Sequence, residues 1–225
     1  MSTVVLFDID GTLIDCGGAG RRAIAAAFER RHGRADACAS IAFGGMTDRA
    51  IVRQGLEAIG AVVDAEAIDE LIADYLELLA QALPSSEGFR VIESATVLVE
   101  HTQALGFAVG LGTGNVRRGA MLKLGRASLA GRFAFGGFGC DAEDRAELLR
   151  RGVDRGAASL GLAPEACRVL VVGDTPRDVS AAHAIGARCL AVSTGRHTRA
   201  ELEAAGADCV VASLDADEAL RFARG

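Results

Sequence analysis

The sequence predicts an α/β protein: a parallel, doubly wound sheet whose rhythm is broken once by a helical insert. Three observations carry that expectation. Short runs of apolar and β-branched residues recur along the chain, and the later ones alternate with helical stretches, as strands joined by crossover helices do. Those runs are apolar at consecutive positions, as expected of strands buried on both faces. Finally, residues from about 15 to 84 hold helical periodicity and no convincing strand. A chain of 225 residues suits one large domain with a modest insert.

The first strand is expected at Thr3–Ile9, TVVLFDI. The insert follows, with helices expected at Arg21–His32, Arg49–Ile59 and Asp64–Leu83. In the last of these Ile68, Leu71, Ile72, Tyr75, Leu76, Leu79 and Leu83 recur at helical spacing. The turn-forming run Pro84-Ser85-Ser86-Glu87-Gly88 closes the insert. Further strands are expected at Phe107–Thr113, Phe133–Phe138, Arg168–Gly173, Arg188–Ser193 and Asp208–Val211. Helices are expected between them at Val116–Leu124, Asp144–Leu160 and Val179–Ile185. Neither repeats nor low-complexity tracts interrupt the pattern.

Composition narrows the function. A formal charge of −6 argues against a nucleic-acid surface, and no apolar run approaches a bilayer span. The first apolar run contains Asp8 and Asp10, which argues against a secretory signal. Six cysteines without a CxxC pair read as reduced thiols, so a cytoplasmic protein is expected. Of 24 basic residues only Lys123 is lysine.

In a parallel sheet the carboxyl ends of all strands share one edge, where ligands bind. Asp8 and Asp10 leave the first strand, and Thr113, Gly114 and Asn115 the second. The third ends in Gly139-Cys140-Asp141-Ala142-Glu143-Asp144-Arg145, the fourth in GDTPRD with Asp174 and Asp178. Two carboxylates at a buried strand end repel each other and lose hydration, so a compensating cation is required. Hard oxygen ligands select Mg²⁺, expected on Asp8, Asp10, Asp174 and Asp178.

Singly, each residue has an ordinary explanation. Aspartate before glycine forms turns, and Thr113, Asn115 or Asp178 would serve as helix caps. Turns and caps do not account for acids at both the first and fourth strands. Glycines 110, 112 and 114 lack the spacing and position of a dinucleotide loop.

DIDGTLID, GTGN and GDTPRDV resemble, in order, three motifs of the haloacid dehalogenase-like hydrolases, over most of the chain. The insert resembles that family's C1 cap, and GGMTDRAIV is similar to a cap segment of phosphoglycolate-phosphatase-like members. The resemblance implies a Rossmann-like core at 1–14 and 89–225, a helical cap with its hinge loops at 15–88, an aspartate nucleophile, a phospho-aspartyl intermediate and Mg²⁺. Asp8 would be the nucleophile, and Asp10 the acid and then the base, with a raised pKa. Thr113, Gly114 and Asn115 would cradle the phosphate, while Asp174 ligates the metal and Asp178 supports it.

The family's third motif usually supplies a lysine. Lys123 lies ten residues beyond Thr113, roughly 15 Å along a helix, whereas Arg145 leaves the third strand on the catalytic edge. Arg145 is therefore expected to neutralise the phosphoryl charge. Arg49, on the turn Gly44–Arg49, is expected near the substrate's distal group, with a surface arginine as the alternative. The expected activity is a Mg²⁺-dependent phosphatase acting on a small phosphorylated metabolite, as a monomer or homodimer with no nucleic-acid or membrane partner. A phosphomutase of the β-phosphoglucomutase type and a non-catalytic binding module remain alternatives. A dehalogenase has no use for the second aspartate or a metal.

Overall fold

The structure, a computed structural model, describes residues 2–225. Strand β1 (Thr3–Phe7) is central in a six-stranded parallel sheet. On one side of it lie β4 (Ala108–Thr113) and then β5 (Gly136–Phe138). On the other lie β6 (Arg168–Gly173), β7 (Arg188–Val192) and β8 (Cys209–Val211). The chain thus leaves β1 to one side and returns to the other, which is the expected double winding.

All five residues of β1 are buried, and their side chains divide by the two-residue period of a strand. Val5 and Phe7 face a core shared with α4 (Glu93–Ala104), α5 (Arg117–Arg126) and α9 (Asp217–Arg224). Val4 and Leu6 face the opposite layer, built by α6 (Arg145–Ser159), α7 (Pro176–Ala184) and α8 (Arg199–Ala204). Each large apolar side chain so buried stabilises the fold by about 1.5–3 kcal/mol, which explains the unbroken apolar runs.

The insert consists of α1 (Ala19–His32), α2 (Asp48–Ala58) and α3 (Ala65–Ala82). The α3 stripe Ile68, Leu71, Ile72, Tyr75, Leu76 and Leu79 is buried as its spacing predicts. Its core is continuous with the α5 face of the sheet. Among the described residues no helix is long and apolar enough to cross a membrane.

Two local expectations need correction. Residues on either side of the insert, read as loops or left unassigned, form an antiparallel pair, β2 (Ile14–Cys16) with β3 (Phe89–Val91). Strands of three residues carry too little periodicity to be legible, and their partners lie some 75 positions apart. The glycine and serine loops beside them are also tied together: Arg22 Nη2 donates to Ser86 Oγ at 3.0 Å, and Ser86 Oγ donates to the Cys16 carbonyl at 2.8 Å. The third strand is shorter than expected. Phe133 follows a 3₁₀ turn at Ala130–Arg132 and packs on Phe7, with ring centroids 6.3 Å apart.

Candidate active site

The chain leaves β1 still paired to β6, because the Asp8 N–H donates to the Val172 carbonyl at 2.9 Å. This fixes Asp8 at the sheet's carboxyl edge, where only 5 % of its surface is exposed. At the end of β6, Asp174 and Asp178 arrive beside it. Each of the three presents a carboxylate oxygen within 4.8 Å of the others. Close approach demands a residue without a side chain at Gly195, where a Cβ would fall 1.8 Å from Asp174 Oδ2.

Asp178 also closes the start of α7. Its Oδ2 accepts from the Thr175 N–H at 3.0 Å and from Thr175 Oγ1 at 2.7 Å, a reciprocal helix cap. Its other oxygen accepts from Arg145. The helix cap and a place in the acid cluster therefore meet in one residue, and the cap orients the carboxylate.

Arg145 occupies the first position of α6, whose N-cap Asp144 accepts from the Glu147 N–H at 2.8 Å. Helical side chains lean toward the N-terminus, here into the crevice. Its Nη2 reaches Asp8 Oδ1 at 3.2 Å as well as Asp178, and only 8 % of the side chain is exposed. Its Nη1 donates to the Gly45 carbonyl at 3.3 Å, while the buried Nε has no partner among the described residues.

Three carboxylates against one guanidinium leave this cluster short of positive charge. Burial pushes the Asp8 carboxyl up to about 6, with Arg145 pulling down and Asp178 and Asp10 adding to the rise. Burial, then Asp178 and Asp8, hold Asp174 well above the usual carboxylate range. A buried set of hard oxygen donors with unmet positive charge fits a divalent cation.

Asp10 departs from expectation. Its carboxylate turns away from the acid cluster, to Lys123 Nζ at 2.6 Å and Asn115 Nδ2 at 2.8 Å, both donating to Oδ2. Burial would raise its pKa, but the charge and hydrogen bond of Lys123 prevail, and Asp10 lies below the ordinary value. The raised carboxyl is Asp8 instead, and Asp10's carboxylate does not join the metal-competent set.

Lys123 is the second correction. The distance along α5 is shorter than ten residues of helix, because the helix begins only at Arg117, which leaves roughly 9 Å of helical rise. The side chain then leans back toward the helix start. Its Nζ also donates to Asn115 Oδ1 at 2.6 Å, and 5 % of the side chain is exposed. One signal was available: the chain's single lysine sits on the α5 face that also buries Gly119, Ala120 and Leu124.

Thr113 ends β4, and Gly114 and Asn115 follow it at the sheet's carboxyl edge. Asn115 N–H and Nδ2 both donate to Thr113 Oγ1, at 3.3 and 2.9 Å, so the threonine hydrogen is free to point elsewhere. A roof segment from the insert lies directly on them. The Asp48 N–H donates to the Gly114 carbonyl at 2.8 Å, and Asp48 Oδ2 accepts from the Val116 N–H at 2.9 Å. A Cβ on Gly114 would lie 2.1 Å from the Met46 carbonyl oxygen. Burial pushes the Asp48 carboxyl up to about 6, against the opposing pull of Lys123 and the Val116 N–H. Sequence reasoning passed over Asp48, because a single aspartate at a helix start ordinarily signals only a cap.

Arg49 is not brought to the site. It pairs with Asp69 and, at 3.9 Å, with Glu143 on the outer surface. The neighbouring position on α2 points inward and is Asp48, so the turn reaches the crevice with the opposite charge. Floor and roof enclose about 650 Å³, opening on Asp8, Asp10, Lys123, Arg145 and Asp174.

Residues 3–186 match the family model of the haloacid dehalogenase-like hydrolases. The chain belongs to that family and is a hydrolase of its fold. Solved structures share the architecture at low identity. CbbY from Rhodobacter sphaeroides, determined in complex with phosphate, aligns with a TM-score of 0.71 at 17% identity, covering 96% of both chains. A predicted phosphatase from Clostridium acetobutylicum aligns at 0.69 and 19% identity, over 100% of this chain and 97% of its own. A hydrolase from Pseudomonas syringae gives 0.69 and 19%, over 96% and 95%. No curated protein sequence matches the chain.

Proposed function

We infer that the chain is a Mg²⁺-dependent phosphatase that hydrolyses a small phosphorylated metabolite through an aspartyl-phosphate on Asp8. The observation that carries this reading is the placement of Asp8, a buried carboxylate held by Arg145 beside two further acids and open to a cavity of small-molecule size.

The Asp8 oxygen attacks phosphorus, and the leaving oxygen takes a proton from Asp10, which must first be protonated against the pull of Lys123. Arg145 neutralises charge at Asp8 and at the phosphoryl oxygens, as its forked donors suit. The Thr113 hydroxyl, with the backbone N–H groups at the start of α5, receives the phosphate. Asp10 then takes a proton from water as that water cleaves the aspartyl-phosphate. Asp8 and Asp174, supported by Asp178, would hold Mg²⁺, which would supply positive charge to offset that of the carboxylates and the phosphoryl group. Residues 15–88 act as the cap that excludes water from this chemistry. The unpaired cysteines, four of them buried, favour a reducing compartment such as the cytoplasm.

The test is a screen of small phosphorylated metabolites for phosphate release, with Mg²⁺ and with a chelator. Release that requires Mg²⁺ is expected. Release in chelator would overturn the metal assignment, and transfer between sugar hydroxyls without release would make the chain a phosphomutase. Failure to act on any phosphate ester would overturn the reading.

A further inference from the structure

Lys123 has no role in the chemistry above, yet it is a buried cation of α5 that lines the crevice. Burying an ammonium is costly, and that cost is tolerable only with close acceptors. Its acceptors are Asp10 Oδ2 and Asn115 Oδ1, each 2.6 Å away. Asn115 Nδ2 returns a hydrogen bond to the same Asp10 oxygen at 2.8 Å. Lysine, asparagine and aspartate thus form a closed ring in which Oδ2 receives two donors.

The consequence falls on the other oxygen. With Oδ2 occupied twice, Oδ1 is the Asp10 atom left to exchange a proton, and the ring fixes where it points. Outside the ring Asp10 has one further side-chain partner, the Cys16 thiol, and 43 % of its side chain is exposed, against 7 % for Asp8. A carboxylate that open would sample several rotamers, and proton transfer demands a settled position.

We propose that Lys123 is a positioning residue for Asp10, aiming its Oδ1 both at the leaving oxygen and at the water that cleaves the aspartyl-phosphate. This rests on the phosphatase reading and adds a residue to it. In the second step the water oxygen bonds to phosphorus, the bond from phosphorus to the Asp8 oxygen breaks, and its electron pair returns to the Asp8 carboxylate. The water proton passes to Asp10 Oδ1. In the next turnover that proton goes to the leaving alkoxide, so the cycle is balanced and needs no further reactant.

The experiment uses Lys123→Met with Mg²⁺ and two substrates. p-Nitrophenyl phosphate has a leaving group that departs unprotonated, whereas an alkyl phosphate needs the proton. With p-nitrophenyl phosphate, kcat/KM reports only attack by Asp8 and should stay within about threefold. Its kcat should fall about 100-fold, the scale of lost general acid–base catalysis, with a burst of nitrophenolate and trapped phosphoenzyme. With the alkyl phosphate, kcat/KM itself should fall about 100-fold. Burst amplitude counts folded sites, so partial misfolding does not mimic this split. If Lys123→Met does not fold, Lys123→Gln, which retains a neutral donor, should show the same pattern. A proportional loss of every parameter without a burst, or no change in any, would overturn the role of Lys123 alone. A wild-type chain inactive on both esters would overturn the phosphatase reading, and this inference with it.

Discussion

The floor and the roof of the crevice are built on different principles. On the floor, Asp8, Asp174, Asp178 and Arg145 leave strand ends or helix starts of the central sheet, and their side chains are almost fully buried. They hold one another: Arg145 bridges Asp8 and Asp178, and Asp178 caps α7. At the crevice the roof meets the floor through a short segment, in which Asp48 clasps Gly114 and Val116 while Arg145 and Arg177 hold the carbonyls of Gly45 and Gly44. Outside that clasp, Arg49 and Arg53 of the roof pair with Glu143 of the core in partly exposed bridges. The difference teaches where to look for each property. On the proposed function, reaction type would belong to the interlocked floor, and closure and substrate choice to the roof.

The most severe way to break the floor is Asp8→Asn, which preserves shape and removes the proposed nucleophile. Turnover should fall roughly a thousandfold or more on every phosphate ester, with the circular dichroism spectrum unchanged. Retention of a tenth of the activity would show that Asp8 forms no covalent intermediate.

Arg145→Ala should come next. It leaves two buried carboxylates without their cation, a loss of about 3–5 kcal/mol that denaturant unfolding would register. Activity should fall about 100-fold or more on aryl and alkyl esters alike, since the lost charge faces the phosphoryl group common to both. A loss confined to one substrate would move Arg145 from floor to roof.

On the roof, Asp48→Ala leaves the Val116 N–H without its acceptor, at about 1–3 kcal/mol. The clasp on the phosphate loop should loosen, raising KM several-fold for a metabolite with a bulky leaving group and less for p-nitrophenyl phosphate. Equal changes in both would show that Asp48 serves the cradle itself rather than closure.

Arg49→Ala should have the smallest effect. Exposed ion pairs contribute little, so KM and kcat should stay within about twofold for any ester. A KM change for one metabolite only would bring Arg49 back to the crevice and erase the contrast between the inner and outer roof.

How far the site was legible follows the same division. Asp8, Asp174 and Asp178 could be read because each directly follows or closely trails a strand, and a parallel sheet places all strand ends on one edge whatever the loops do. Arg145 could be read for the same reason, as the first cation after the third strand. Arg49 could not. On a helix two adjacent positions differ by about 100° of rotation, and nothing local says which of Asp48 and Arg49 faces the crevice. Distance along the chain hides the place of Lys123, because the relevant path runs back along the side chain toward the start of α5. The β2–β3 pair was invisible because its partners are brought together only once the insert has folded.

By itself the sequence determined the double winding, the helical insert and the acid edge. Those depend on apolar periodicity and strand order, which are local or topological properties. The tertiary structure alone decided that Asp10 pairs with Lys123 rather than with the acid cluster, that burial raises Asp8 instead, and that Asp48 closes the roof. Each of these depends on desolvation and on distances of a few ångströms between groups far apart in the chain. Such quantities exist only after packing has removed the water that would otherwise screen them.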